Sequence, residues 1–366
     1  MSDTASQAAK AAAEQRVADY ERVLEQSDQK LAAFEARQRG ILERIQHLLH
    51  GSPVLVPMFV LVLSLVIFGL LIGHIFFDPL NFMLILQQVT VVAVVGIAQT
   101  LVILTAGIDL SVSAILVLCS IVMGRLSVHY GWPWELGILV GLAVGTACGI
   151  VNGLLVTKIR LPPFIVTLGT LNIFFALNLW FSNSETIQNQ DLIAKANPLL
   201  FFGNSFKVFG GDLTYGSIFM VLLFFGVWYL LNRTAWGRHV HAVGDDVDAA
   251  RLAGIQTDRT LLTVYALAGL ICALGAYVMI GRVGSISPNN GQTSNLDSIT
   301  AVVIGGTSLF GGRGSIFGTL FGALIIGVFV NGLALYGVDV LWQEFAIGVL
   351  SITAVALDQW LRRVSQ

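Results

Sequence analysis

Few side chains in this sequence can do chemistry, so those that can are easy to find. Asp109 lies in Gly107-Ile-Asp-Leu-Ser111-Val-Ser113, between two long apolar runs. A carboxylate at membrane depth is costly and marks a solute or ion path unless it holds a helix end. Asp109 suits either task. It can accept hydrogen bonds from solute hydroxyls, or it can cap the next span, because Asp followed by Ser at a break fits a helix start. Ser111, Asn152, Thr167, Asn172 and Asn331 supply hydroxyls and amides within neighbouring apolar stretches. They line a polar route or tie helices together by hydrogen bonds. His239 and His241 are two apart, but no carboxylate or cysteine completes a metal site with them, so they read as solvated loop residues. No nucleophile and base are arranged for covalent or hydrolytic catalysis. A phosphate-cradling loop needs Gly-Lys-Ser/Thr. None of Lys10, Lys30, Lys158, Lys195 and Lys207 follows a glycine, so ATP hydrolysis by that route is not expected of this chain.

A second group of polar residues runs from Arg233 to Arg259. It includes Gly237, Arg238, Gly244, Asp245, Asp246, Ala249, Ala250, Arg251 and Gly254. Asp245, Asp246 and Asp248 sit where a short helix would begin, and acidic side chains complement the positive end of a helix dipole. Gly254 can take the left-handed conformation that closes a helix. The spacing predicts a helix of about two turns over residues 245–253. A short rigid helix on a loop between spans can fit a groove on a soluble partner; a well-capped surface loop would look the same.

The elements that hold these residues are membrane helices. The chain is 55% hydrophobic and 11% charged, against about 25% charged in soluble domains. Its net charge of -2 gives no case for nucleic-acid binding. Apolar runs predict spans near 54–76, 82–106, 110–124, 135–157, 162–181, 215–232, 260–281, 297–312, 314–336 and 342–360. The third and eighth are short, so eight to ten crossings are expected in an all-α polytopic fold. Lys158, Arg160, Arg233, Arg238, Arg251, Arg259, Arg313, Arg362 and Arg363 fall in alternate loops. The other loops hold only Arg125, Lys195, Lys207 and Arg282. That bias predicts cytoplasmic termini and a cytoplasmic 233–259 loop. Loop 182–214 then faces outward as irregular structure. Ten spans divide into five and five, which requires an inverted repeat. The glycines at 137, 141, 145, 149 and 153 with Asn152-Gly153, and Gly314, Gly318 and Gly322 with Asn331-Gly332, fit matching halves. Small-residue stripes also serve plain helix packing.

The expected domains are a tail, 1–50, and a transmembrane body, 51–366, carrying the 233–259 loop. Apolar residues recur at three-four spacing from Val17 to Leu48, with charges of both signs elsewhere. This predicts an amphipathic helix that packs on the protein's own inner loops, on a membrane surface or in a coiled coil.

Several motifs occur in a telling order. They are Ala106-Gly-Ile-Asp-Leu-Ser111, Pro163-Phe-Ile-Val-Thr-Leu-Gly169, Gly237-Arg238, Ala242-Val-Gly244, Ala249-Ala-Arg-Leu-Ala-Gly-Ile255, Asn295 through Ser315, and Val330-Asn-Gly332. Together they resemble the permease subunits of bacterial sugar-type ABC importers, the ribose/xylose/galactose group, with fructose permeases the nearest likeness. The resemblance spans most of the chain from about residue 80 to 357. It implies that 233–259 is the coupling loop. It also implies a second permease subunit, a cytoplasmic ABC ATPase that uses ATP and Mg, an external sugar-binding protein and the bacterial inner membrane as setting. No cofactor is expected on this chain itself. Relatives usually carry Gly-Asn where this chain has Asp245-Asp246, so the coupling helix begins more acidic here. Branched-chain amino acids, a signalling furanose or nucleosides remain alternative solutes, and ion-coupled secondary transport an alternative mechanism.

Overall fold

The computed structural model describes residues 54–291 and 293–364. The 1–50 tail expected to be amphipathic lies outside the described residues. The described chain is mostly helical, and eight of its helices are long and apolar enough to cross a membrane. They are α1 (Leu55–Ile72, extended by a 3-10 turn to Ile75), α2 (Pro79–Leu104), α3 (Val112–Gly124, extended by a π turn, Arg125–His129), α4 (Trp134–Thr157), α5 (Pro163–Ser182), α7 (Tyr215–Arg233), α10 (Thr257–Val283) and α12 (Ile316–Leu335). Two shorter apolar helices join them: α11 (Ser294–Ile304) and the first part of α13 (Val340–Val364). The span pattern is therefore the expected one. The eighth expected span, 297–312, is the exception. As the 11-residue α11 it is about 16 Å long, roughly half of a hydrocarbon core.

Local chemistry explains the helix ends. Asp78 accepts from the Leu80 N–H at 2.9 Å, and Pro79 follows at the first helical position of α2. Thr214 and Thr234 cap α7 and α8 (Ala235–Asp245) in the same way, accepting from Ser217 N and Gly237 N. Loop 182–214, expected to be irregular, is ordered and is not a span. It holds α6 (Asn189–Ala196), a 3-10 turn (Asn197–Gly203) and a hairpin of β1 (Ser205–Val208) and β2 (Gly211–Thr214). The strands pair antiparallel from Ser205↔Thr214 to Val208↔Gly211. Phe209 and Gly210 both take positive φ, 49° and 89°, as a two-residue hairpin turn requires. Arg125 pins this segment to the end of α3 by donating to the Ser182 carbonyl and to Glu185.

The core sits around α2, α3 and α10, which bury their sides against one another and against α4. Glycine permits the closest approach. A Cβ on Gly149 of α4 would strike the Tyr265 carbonyl of α10, and one on Gly269 would strike that of Gly145. Helices in lipid gain their association from such close packing rather than from hydrophobic exclusion. The same device joins α12 to α11, where Gly318 and Gly322 lie against the carbonyls of Gly305 and Ala301.

Candidate functional site

Two polar assemblies occupy the ends of these helices. The first is built on the turn between α2 and α3. The Asp109 carboxylate accepts from the Ser111 N–H at 2.8 Å and from the Ser111 hydroxyl at 2.6 Å. This is an Asx turn ahead of α3; it does not cap the helix as expected, because the N-cap is Ser111 and no side chain among the described residues bonds the first N–H groups of α3. Asn152 of α4 donates to Ser111 Oγ at 2.8 Å. Thr167 of α5 donates to the Ile108 carbonyl at 2.9 Å, and Asn295 of α11 donates to that of Leu110 at 3.4 Å. Four of the six candidate path residues, Asp109, Ser111, Asn152 and Thr167, thus meet at one junction. Asn172 does not: it is exposed and donates to Leu168 of its own helix. Asn331 lies elsewhere and donates to Asn81 Oδ1 in the first turn of α2.

Sequence reasoning misses two members of the junction. Asn295 is visible only as part of a longer motif. Tyr265 sits in an apolar run with no signal at all. Its hydroxyl is buried beside Gly107 and, like Asn152 Oδ1, has no hydrogen-bond partner among the described residues. Buried polar groups are normally paired. The junction therefore holds spare hydrogen-bonding capacity for water or a hydroxylated solute.

The second assembly is the 233–259 loop. It contains two helices, not one. The expected helix over 245–253 is α9 (Val247–Leu252), and α8 before it is an addition to the expected pattern. Asp245 closes α8 rather than opening α9. Asp246 alone caps α9, accepting from Asp248 N at 2.8 Å and Ala249 N at 2.9 Å. Gly254 ends the element at φ 86°. Arg238, Asp245, Asp246, Ala249, Arg251 and Gly254 are exposed; Gly237, Gly244 and Ala250 are buried. The exposed set forms an outward surface and the buried set an anchor.

That anchor is a three-way backbone seam. Gly312 N donates to the Leu104 carbonyl at 3.0 Å, joining loop 305–315 to the end of α2. Gly244 wedges between them: a Cβ there would strike Leu104 O and lie 2.7 Å from Gly312 N. A Cβ on Gly311 would lie 2.8 Å from Ala106 N. Ala106 itself holds φ 59°, rare without glycine. His241 is half-buried, not solvated as expected, and its Nδ1 donates to the Gly312 carbonyl at 3.0 Å. The exposed loop thus packs through Gly244 against the end of α2 and loop 305–315, and His241 hydrogen-bonds it to Gly312.

A helical membrane body with a polar junction at its helix breaks, and an anchored loop at one face, defines a polytopic membrane transport subunit. The family described as branched-chain amino acid transport system / permease component matches residues 81–355, and the chain belongs to it. Among its relatives, the fructose import permease protein FrcC of Rhizobium meliloti is 55% identical over 347 residues, covering 95% of this chain and 96% of that one. The ribose import permease protein RbsC of Bacillus subtilis is 39% identical, covering 81% and 89%. The D-allose transport system permease protein AlsC of Escherichia coli is 34% identical, covering 83% and 91%. No solved structure matches the chain.

Proposed function

We propose that this chain is the membrane-spanning permease of an ATP-driven monosaccharide importer, with fructose as the first substrate to test. The likeness to a fructose import permease across nearly all of both chains supports the substrate class. The observation that carries the mechanism is the Gly244 seam, because it couples an exposed loop to the helix breaks. In this reading a cytoplasmic ABC ATPase, which uses ATP and Mg, grips α9 through Asp246, Ala249 and Arg251. Closure of the ATPases moves α8–α9, and the seam passes the motion to the ends of α2 and α11. An external sugar-binding protein delivers solute, and a second permease subunit completes the path. Both termini and the 233–259 loop are cytoplasmic, following the Lys/Arg bias, and the membrane is the bacterial inner membrane. The inverted five-plus-five repeat is supported by Asn152 and Asn331, each followed by glycine near the C-terminal end of its helix.

The test is reconstitution with the cognate ATPase and binding protein in proteoliposomes. ATP-dependent fructose uptake is expected, with leucine as competitor because the family description names branched-chain amino acids. Uptake that follows an ion gradient without nucleotide overturns the mechanism. Displacement of fructose by leucine overturns the substrate.

A further inference from the structure

A basic recess opens where α4 ends and α10 begins. Lys158, Arg160, Arg251 and Arg259 line it with Asp258, and its volume is about 530 Å³. Arg251 is engaged, 3.7 Å from Asp248 and 3.3 Å from Thr257 Oγ1. Lys158, Arg160 and Arg259 are exposed and hold no ion pair among the described residues. Arg160 sits at φ 60°, a conformation that costs an arginine backbone energy. The 27-residue α10 begins here without a side-chain cap, and Asp258 in its first turn is the one acidic side chain among the lining residues set against the four cations.

The surroundings identify the anion's carrier. The chain runs Lys158-Ile159-Arg160-Leu161, and Ile159 and Leu161 are 61% and 40% exposed. Phe164 and Ile165, on the first turn of α5, are exposed beside them. In a membrane protein these apolar side chains meet hydrocarbon, while interleaved cations reach up to headgroup level. A soluble acidic surface would answer the charge and leave the apolar residues uncovered. A lipid answers both. We propose that this recess binds the phosphodiester headgroup of an anionic phospholipid, held by Lys158, Arg160 and Arg259. The proposal depends neither on the transported solute nor on which way the chain faces.

Native mass spectrometry of the intact chain in zwitterionic detergent, with equimolar phosphatidylglycerol and phosphatidylcholine, tests it. Excess retention of phosphatidylglycerol is expected. Lys158→Gln, Arg160→Gln and Arg259→Gln should each cut that excess about fivefold. Lys207→Gln, on the distant hairpin, should leave it intact. Millimolar inorganic phosphate should fail to displace the lipid; displacement marks a free-anion site and overturns the proposal. Equal retention of the two lipids, or an unchanged excess in the triple variant, also overturns it. So does a triple variant that keeps the lipid preference but no longer binds the ATPase in lipid-free detergent, which marks a protein-docking surface. If a variant misfolds, the wild-type chain still decides: its unfolding temperature should rise with phosphatidylglycerol and not with phosphatidylcholine.

Discussion

Asn152 shows how one side chain organises a helix break. Its amide reaches the Ser111 hydroxyl, which is in turn held by Asp109. Interhelical bonds of this kind contribute about 0.6 kcal/mol on average in membrane proteins, rarely above about 1.7. Asn152→Ala should therefore insert and fold, with unfolding in mixed detergent shifted by about 1 kcal/mol. A shift beyond about 3 kcal/mol would mean that the amide does more than tie two helices. Gly149 makes a sharper case. Its neighbour is the Tyr265 backbone carbonyl, which cannot rotate away, so Gly149→Ala should cost about 1–3 kcal/mol through forced separation of α4 and α10. Gly169 has nothing within 4 Å of the place its methyl group would take, so Gly169→Ala should be neutral or slightly stabilising in the same assay.

At the scale of elements, α9 is short enough for its ends to decide whether it exists. It has six residues, and Asp246 provides two of its backbone bonds. Asp246→Ala should cost about 1 kcal/mol of local helix stability, readable as faster amide hydrogen exchange at 248–252. Gly254 has open space around its Cβ position but holds φ 86°, so the penalty for replacing it is conformational. Gly254→Asn should be tolerated and Gly254→Val should not, with loss of coupled uptake rather than of insertion. The helix α9 is legible in the sequence because capping and left-handed closure are local chemistry. The helix α8 is not. Its stretch mixes His239, His241 and Arg238 with small residues. Its helical face exists because Gly237, Val240, Val243 and Gly244 press on other segments. That is tertiary information, and the half-burial of His241 escapes the sequence for the same reason.

Across the whole molecule, what can be read beforehand is what the bilayer dictates. Spans of about 20 apolar residues follow from hydrocarbon thickness, and all eight long helices fall where the apolar runs place them. The short α11 is visible as a short run, because a half-length helix cannot hide its missing residues. The hairpin at 205–214 is not visible, since four-residue strands around Phe209-Gly210 leave no periodicity to count. The candidate path is legible in part. Asp109, Ser111, Asn152 and Thr167 converge because three helices end near one turn, whereas Asn172 shares their residue type but points away from them. Residue type supplies the candidates, and only packing can choose among them. The proposed assembly then makes a claim about force: motion received at α9 reaches the α2–α3 turn through the seam of Gly244, Leu104 and Gly312.

Sugar imported per ATP hydrolysed, in proteoliposomes holding the full importer, tests that claim most directly. With Asp246→Lys or Gly254→Val, hydrolysis should persist while the ratio falls about tenfold, the effect of weakening the docked state by about 1.4 kcal/mol. An unchanged ratio in both variants, with the ATPase still bound, would contradict the account.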